Sequence, residues 1–141
     1  MTYAKFKRLF LKYFREQSDV DGIAIVGSYA RGAQRPDSDI DAAVFCREPQ
    51  QYINDHSWLK QFGEAKETTP EVWGPVQTIR AFFKDDMEVE FNFCTIAWAD
   101  IPVDPGTHRV VSDGFEILYD PTGQLLKLKN KVGSDLFKRK K

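Results

Sequence analysis

The segment Ser38-Asp39-Ile40-Asp41-Ala42-Ala43-Val44-Phe45 constrains this chain more than any other. Pro36-Asp37-Ser38 breaks the chain ahead of it, and the β-branched and aromatic residues that follow favour a strand. Side chains alternate across a strand, so Asp39 and Asp41 project from one face while Ile40 points into the opposite layer. Two carboxylates on one face repel each other unless a cation lies between them. Hard oxygen ligands at that spacing suit magnesium, which keeps waters and shares its coordination with substrate phosphates.

Just upstream, Gly22 to Val26 is a short apolar run of the kind buried on both faces of a sheet, and it ends at Gly27. Ser28 reads as the N-cap of a short helix. Such a helix points unpaired backbone N–H groups at the strand-to-helix turn, where a glycine lets a phosphate approach the backbone, and Arg31 lies one turn in. A Gly-Ser dipeptide alone is more often only a turn, and Arg31 could equally pair with a local carboxylate. The chain lacks the Gly-Lys-Ser/Thr ending of a P-loop and the three-glycine dinucleotide fingerprint.

A two-metal site needs a third carboxylate, and Met87-Glu88-Val89-Glu90-Phe91-Asn92-Phe93 offers two on one strand face. Glu90 is preferred because it sits mid-strand between large apolar residues, whereas Glu88 adjoins the Asp85-Asp86 hairpin turn. The rival is calcium: Asp37, Asp39 and Asp41 take the first, third and fifth places of an EF-hand loop, with Glu48 at the twelfth. Ala42 stands where that loop needs glycine, and the residues after it continue a strand, so the pattern argues against such a loop.

With 141 residues the chain is expected to form one domain, 1–141, with a single site. The 20 basic and 21 acidic residues give a charge of -1, so no global field favours nucleic acid or an anionic membrane. The basic amphipathic pattern of Thr2 to Gln17 reads as a packing helix rather than a signal peptide, and the absence of a long apolar run implies a cytoplasmic protein without membrane contact. Cys46 and Cys94 close apolar runs as small buried thiols. Trp58, Trp73 and Trp98 read as core or rim packing, and His56 and His108 as exposed loop residues.

Further strands are expected at Val76 to Lys84, Met87 to Cys94 and Gly114 to Tyr119, with an irregular crossing through Thr68-Thr69-Pro70 and Trp73-Gly74-Pro75. Pro102 to Gly106 reads as loop, and Thr122 to Leu136 as a helix interrupted at Gly133. Phe137 to Lys141 reads as a solvated tail. The whole is an α/β (α+β) fold: a mixed sheet of about five strands with helices packed mainly on one face.

Gly27-Ser28-Tyr29-Ala30-Arg31-Gly32 followed by Ser38-Asp39-Ile40-Asp41 resembles the signature of the nucleotidyltransferase superfamily that shares the DNA polymerase β palm fold. The short chain is similar to minimal nucleotidyltransferases and to the catalytic domain of aminoglycoside and lincosamide nucleotidyltransferases. The resemblance implies that Gly27 and Ser28 bind the triphosphate, that Arg31 contacts phosphate, and that Asp39, Asp41 and Glu90 hold two magnesium ions and carry catalysis. It implies transfer of a nucleoside monophosphate, AMP from ATP, to a hydroxyl-bearing acceptor, small molecule or protein, or else a subunit acting through a helical HEPN-type partner. The third carboxylate of that family is commonly aspartate; here it would be glutamate.

Overall fold

Phe6, Phe10 and Phe14 recur at helical spacing, and in the computed structural model, which describes residues 1–139, all three are fully buried along one face of helix α1 (Tyr3–Arg15). Thr2 caps the helix by accepting a hydrogen bond from the Lys5 N–H at 3.1 Å. The buried rings meet Phe91 and Phe93 of the sheet, with Phe6 to Phe91 at 5.9 Å and Phe14 to Phe93 at 5.9 Å between centroids. Phe10→Ala would leave a ring-sized void in this cluster and should cost about 3–5 kcal/mol, read as a lowered urea midpoint.

After α1 the chain runs β1 (Val20–Val26), α2 (Gly27–Ala30), β2 (Ile40–Cys46), α3 (Pro49–Asn54) and a 3₁₀ turn at Ser57–Gln61. Then come β3 (Ala65–Trp73), β4 (Val76–Phe83), β5 (Glu88–Cys94), a 3₁₀ turn at Ile96–Ala99, α4 (Pro105–Asp113), β6 (Phe115–Tyr119) and α5 (Gln124–Arg139). The strands form one mixed sheet in the order β3-β4-β5-β2-β1-β6. Every neighbouring pair is antiparallel except β2 with β5, which is parallel and sets Asp41 opposite Glu90.

Strand alternation divides the interior into two layers. Ile23, Ile25, Val44, Phe91 and Phe93 face α1, α3 and the Trp58–Phe62 region, whereas Ala24, Ala43, Phe45 and Cys94 face α4 and α5 through Val111, Leu125 and Leu128. Asp41 and Glu90 alternate with the first set, and so lie on the second face. Both cysteines are free and buried, as expected, and burial pushes the Cys94 thiol up to about 12.

The α+β mixed sheet agrees with the sequence reading, with some corrections of detail. Among the described residues there are six strands where about five were expected, because the expected crossing at Thr68 to Pro70 is the edge strand β3, where Pro70 leaves no central ladder broken. Helices cover both faces of the sheet rather than mainly one. The residues expected as loop up to Gly106 run into α4, whose N-cap Asp104 accepts from the Gly106 and Thr107 N–H groups ahead of Pro105 at the first turn. His108 therefore lies on a helix, 3.5 Å from Asp135, and not in an exposed loop. Helix α5 continues through Gly133; of the expected tail, Phe137 to Arg139 belong to this helix, and Lys140 and Lys141 lie outside the described residues. Among the described residues no helix is long and apolar enough to cross a membrane.

Candidate active site

Asp39 immediately precedes β2 and Asp41 is its second residue, so the strand's alternation aims both from the second face. Glu90 arrives beside them because β5 pairs in parallel with β2. Asp39, Asp41 and Glu90 each present a carboxylate oxygen within 4.8 Å of the others, close enough for a shared hard cation. Burial raises both the Asp41 and Glu90 carboxyls, and for Glu90 burial together with the hydrogen bond and charge of Asp41 brings it to about 9.

Arg80 went unremarked in the sequence reading. It lies on β4 directly across from Glu90, and its guanidinium reaches four carboxylates. Nε donates to Glu71 Oε1 at 3.1 Å, Nη1 to Glu88 Oε1 at 2.8 Å, and Nη2 contacts Glu90; Nη1 also lies 3.6 Å from Asp39 Oδ2. Glu71 and Glu88 raise the Arg80 pKa above its already high value. Glu88, the alternative third carboxylate, and Glu90 both pair with Arg80, but it is Glu90 that also lies with the two aspartates.

Gly27 has φ +73, and a Cβ on it would stand 2.8 Å from Asp41 Oδ2. Glycine is required there twice over, for the backbone conformation and for the close approach of the carboxylate. Behind it, a Cβ on Gly114 would meet the Gly27 carbonyl oxygen at 2.9 Å, so the start of β6 packs backbone against backbone on this turn. The helix that follows differs from expectation: it is a single turn preceded by Val26, and Ser28 lies within it rather than capping it. Four residues sum to little macrodipole, which leaves the N–H groups of the turn itself as the donors on offer. Ser28 is half-buried, and Arg31 is exposed, its Nη1 donating to the Asp113 carbonyl at 3.1 Å.

A cavity of about 340 Å³ opens over these residues. Gly27, Asp41, Glu90 and Asp113 lie on its polar side; Phe45, Val76, Trp73 and Trp98 line the apolar remainder. Trp98 is set in place by Phe45 at 5.5 Å and Phe115 at 6.2 Å. Trp73, 62% exposed at the end of β3, donates its indole N–H to Glu71 at 3.1 Å. Two of the tryptophans read as packing therefore wall the cavity, and Trp58 is core.

A model of the nucleotidyltransferase domain family matches residues 7–94, a stretch that contains Gly27, Asp39, Asp41 and Glu90. Among solved structures the fold is similar to an aminoglycoside 6-adenyltransferase from Bacillus subtilis, at 13% identity and a TM-score of 0.57 over 70% of this chain and 37% of that one. The polymerase core of TRAMP, an RNA surveillance complex, matches at 20% identity and a TM-score of 0.47 over 63% of this chain and 31% of the other. A nucleotidyltransferase-like protein from Exiguobacterium sibiricum matches at 14% identity and a TM-score of 0.44 over 89% and 36%. The chain spans well under half the length of each of these proteins. No curated protein sequence matches it.

Proposed function

Because the chain belongs to the nucleotidyltransferase domain family, we propose that it moves a nucleoside monophosphate, AMP from ATP, onto a hydroxyl group and releases pyrophosphate. The observation that carries this reading is the cluster of Asp39, Asp41 and Glu90, of which Asp41 and Glu90 line a largely apolar cavity beside a glycine turn. In the reaction the acceptor oxygen bonds to the α-phosphorus, the bond from that phosphorus to the oxygen bridging the α- and β-phosphates breaks to release pyrophosphate, and the hydroxyl proton passes to solvent.

The donor set fits magnesium: carboxylate oxygens only, half-buried, and already close together. Asp39, Asp41 and Glu90 would hold it. When bound, magnesium neutralises triphosphate charge and acidifies the attacking hydroxyl. The protein's own share is to position and enclose. Gly27 exposes backbone N–H groups without a side chain in front of them, as a phosphate needs. Ser28 and Arg31 stand in the same turn, with Arg31 able to exchange the Asp113 carbonyl for a phosphate oxygen. Phe45, Val76 and Trp98 keep water from the remainder of the cavity, where a planar base or an acceptor ring would lie.

The direct experiment is incubation with ATP labelled at the α-phosphate and magnesium, against hydroxyl-bearing small molecules and helical candidate partner proteins. Transfer of label with release of pyrophosphate is expected. Failure to bind ATP with magnesium at all would overturn the reading. Glu90→Gln should lower transfer by about 100-fold or more and Glu88→Gln by less than about tenfold, measured as kcat with saturating metal. A larger loss at Glu88 would reassign the third carboxylate.

A further inference from the structure

The contacts of Arg80 fall into two groups. Nη2 on Glu90 and Nη1 towards Asp39 engage carboxylates of the cluster that would hold metal, whereas Nε on Glu71 and Nη1 on Glu88 engage carboxylates outside it. A guanidinium and a hard cation seek the same oxygens, so they compete for Glu90 and Asp39. Nη2 sits close on Glu90, the contact that an entering metal must displace, and the one to Asp39, at 3.6 Å, is longer than a hydrogen bond; those to Glu71 and Glu88, at 3.1 and 2.8 Å, are full hydrogen bonds to groups outside the cluster. Glu71 is further held by the Trp73 indole N–H at 3.1 Å. The anchors that do not belong to the cluster are therefore the ones suited to retain the arginine when the others are withdrawn.

We propose, resting on the metal-dependent reading above, that Arg80 is the built-in counter-ion of the metal-free site, yielding Glu90 and Asp39 to an entering divalent ion while Glu71 and Glu88 keep it alongside. The site then carries a cation in both states. Entry of metal is an exchange rather than a filling, and free metal binds more weakly than five neighbouring carboxylates alone would allow: Asp39, Asp41, Glu71, Glu88 and Glu90. Arg80 is in this account a positioning and regulating residue, acting through the carboxylates rather than on the reacting atoms.

The experiment is a titration of the whole chain with Mn2+ alone, without nucleotide, following free ion by electron paramagnetic resonance. Arg80→Gln should bind Mn2+ about tenfold more tightly than the native protein, since one positive charge has left the ligand cluster. In the same variant the metal-free thermal midpoint should fall and the rise on adding Mn2+ should be larger than in the native chain. Arg80→Lys keeps the charge but not the fork, and its affinity should lie between the two. Equal or weaker Mn2+ binding by Arg80→Gln would overturn the proposal and make Arg80 a support for metal binding. If that variant does not fold without metal, Arg80→Lys decides, with tighter binding than native upholding the exchange and equal or weaker binding ending it. Native protein that binds no Mn2+ even with ATP present would instead overturn the metal-dependent reading itself.

Discussion

Asp41→Asn should abolish nucleotidyl transfer, by more than about 1000-fold in kcat, while leaving the metal-free protein at least as stable as the native chain. The two halves of that expectation have one cause. Asp41 is largely removed from water and lies beside Glu90 and Asp39, and burial chiefly, with the Asp39 charge, raises its pKa. Its charge is thus a burden on the folded state in the absence of metal, one that the proposed cation would offset. Asparagine has nearly the same shape, and its amide can donate to Glu90 on the paired strand. The variant loses a ligand charge and a repulsion together. Activity assayed with labelled ATP and a thermal melt without metal check the two halves separately; retained turnover would end the mechanism.

Gly27→Ala comes next in size, with an expected loss of about 100-fold in transfer from misplacement of the carboxylate and the phosphate turn. An alanine at φ +73 costs about 1 kcal/mol in backbone strain alone. The added Cβ would also stand 2.8 Å from Asp41 Oδ2, closer than real contacts allow, and Asp41 is confined by strand pairing to Val26 on one side and Glu90 on the other. Gly32→Ala separates the two effects: Gly32 has φ +70 but nothing within 4 Å of the added carbon. It should lose stability by a similar strain and keep its activity. Equal loss of activity in both variants would mean that backbone strain, and not the contact with Asp41, is what Gly27 avoids.

The aspartates could be placed from sequence because strand periodicity alone decides which way they point. Choosing between Glu88 and Glu90 is different in kind, since both face the same way; what separates them is the register of a parallel pairing between strands distant in sequence. No local pattern encodes that register. Arg80, by contrast, was legible and overlooked. The hairpin closes with the Phe83 N–H on the Met87 carbonyl, and counting back along the antiparallel ladder sets Arg80 opposite Glu90. Strand β3 was hidden by Pro70 and Gly74-Pro75, which break most elements but are tolerated at a sheet edge and in a two-residue turn with Gly74 at φ +58. Helix α4 did carry a signal, an N-capping Asp104 followed by Pro105.

Gly114, Val110 and Trp98 all follow Cys94, where the family match ends, yet they supply one wall of the cavity and the backing of the Gly27 turn. The cavity wall is thus shared between the two stretches: Phe45, Trp73 and Val76 come before Cys94, and Trp98 and Val110 after it. Substitutions at Trp98 or Val110 would reshape the cavity without displacing Asp39, Asp41 or Glu90. The exception is Gly114, which any such reshaping must leave alone, because its missing side chain is the space that the Gly27 carbonyl occupies.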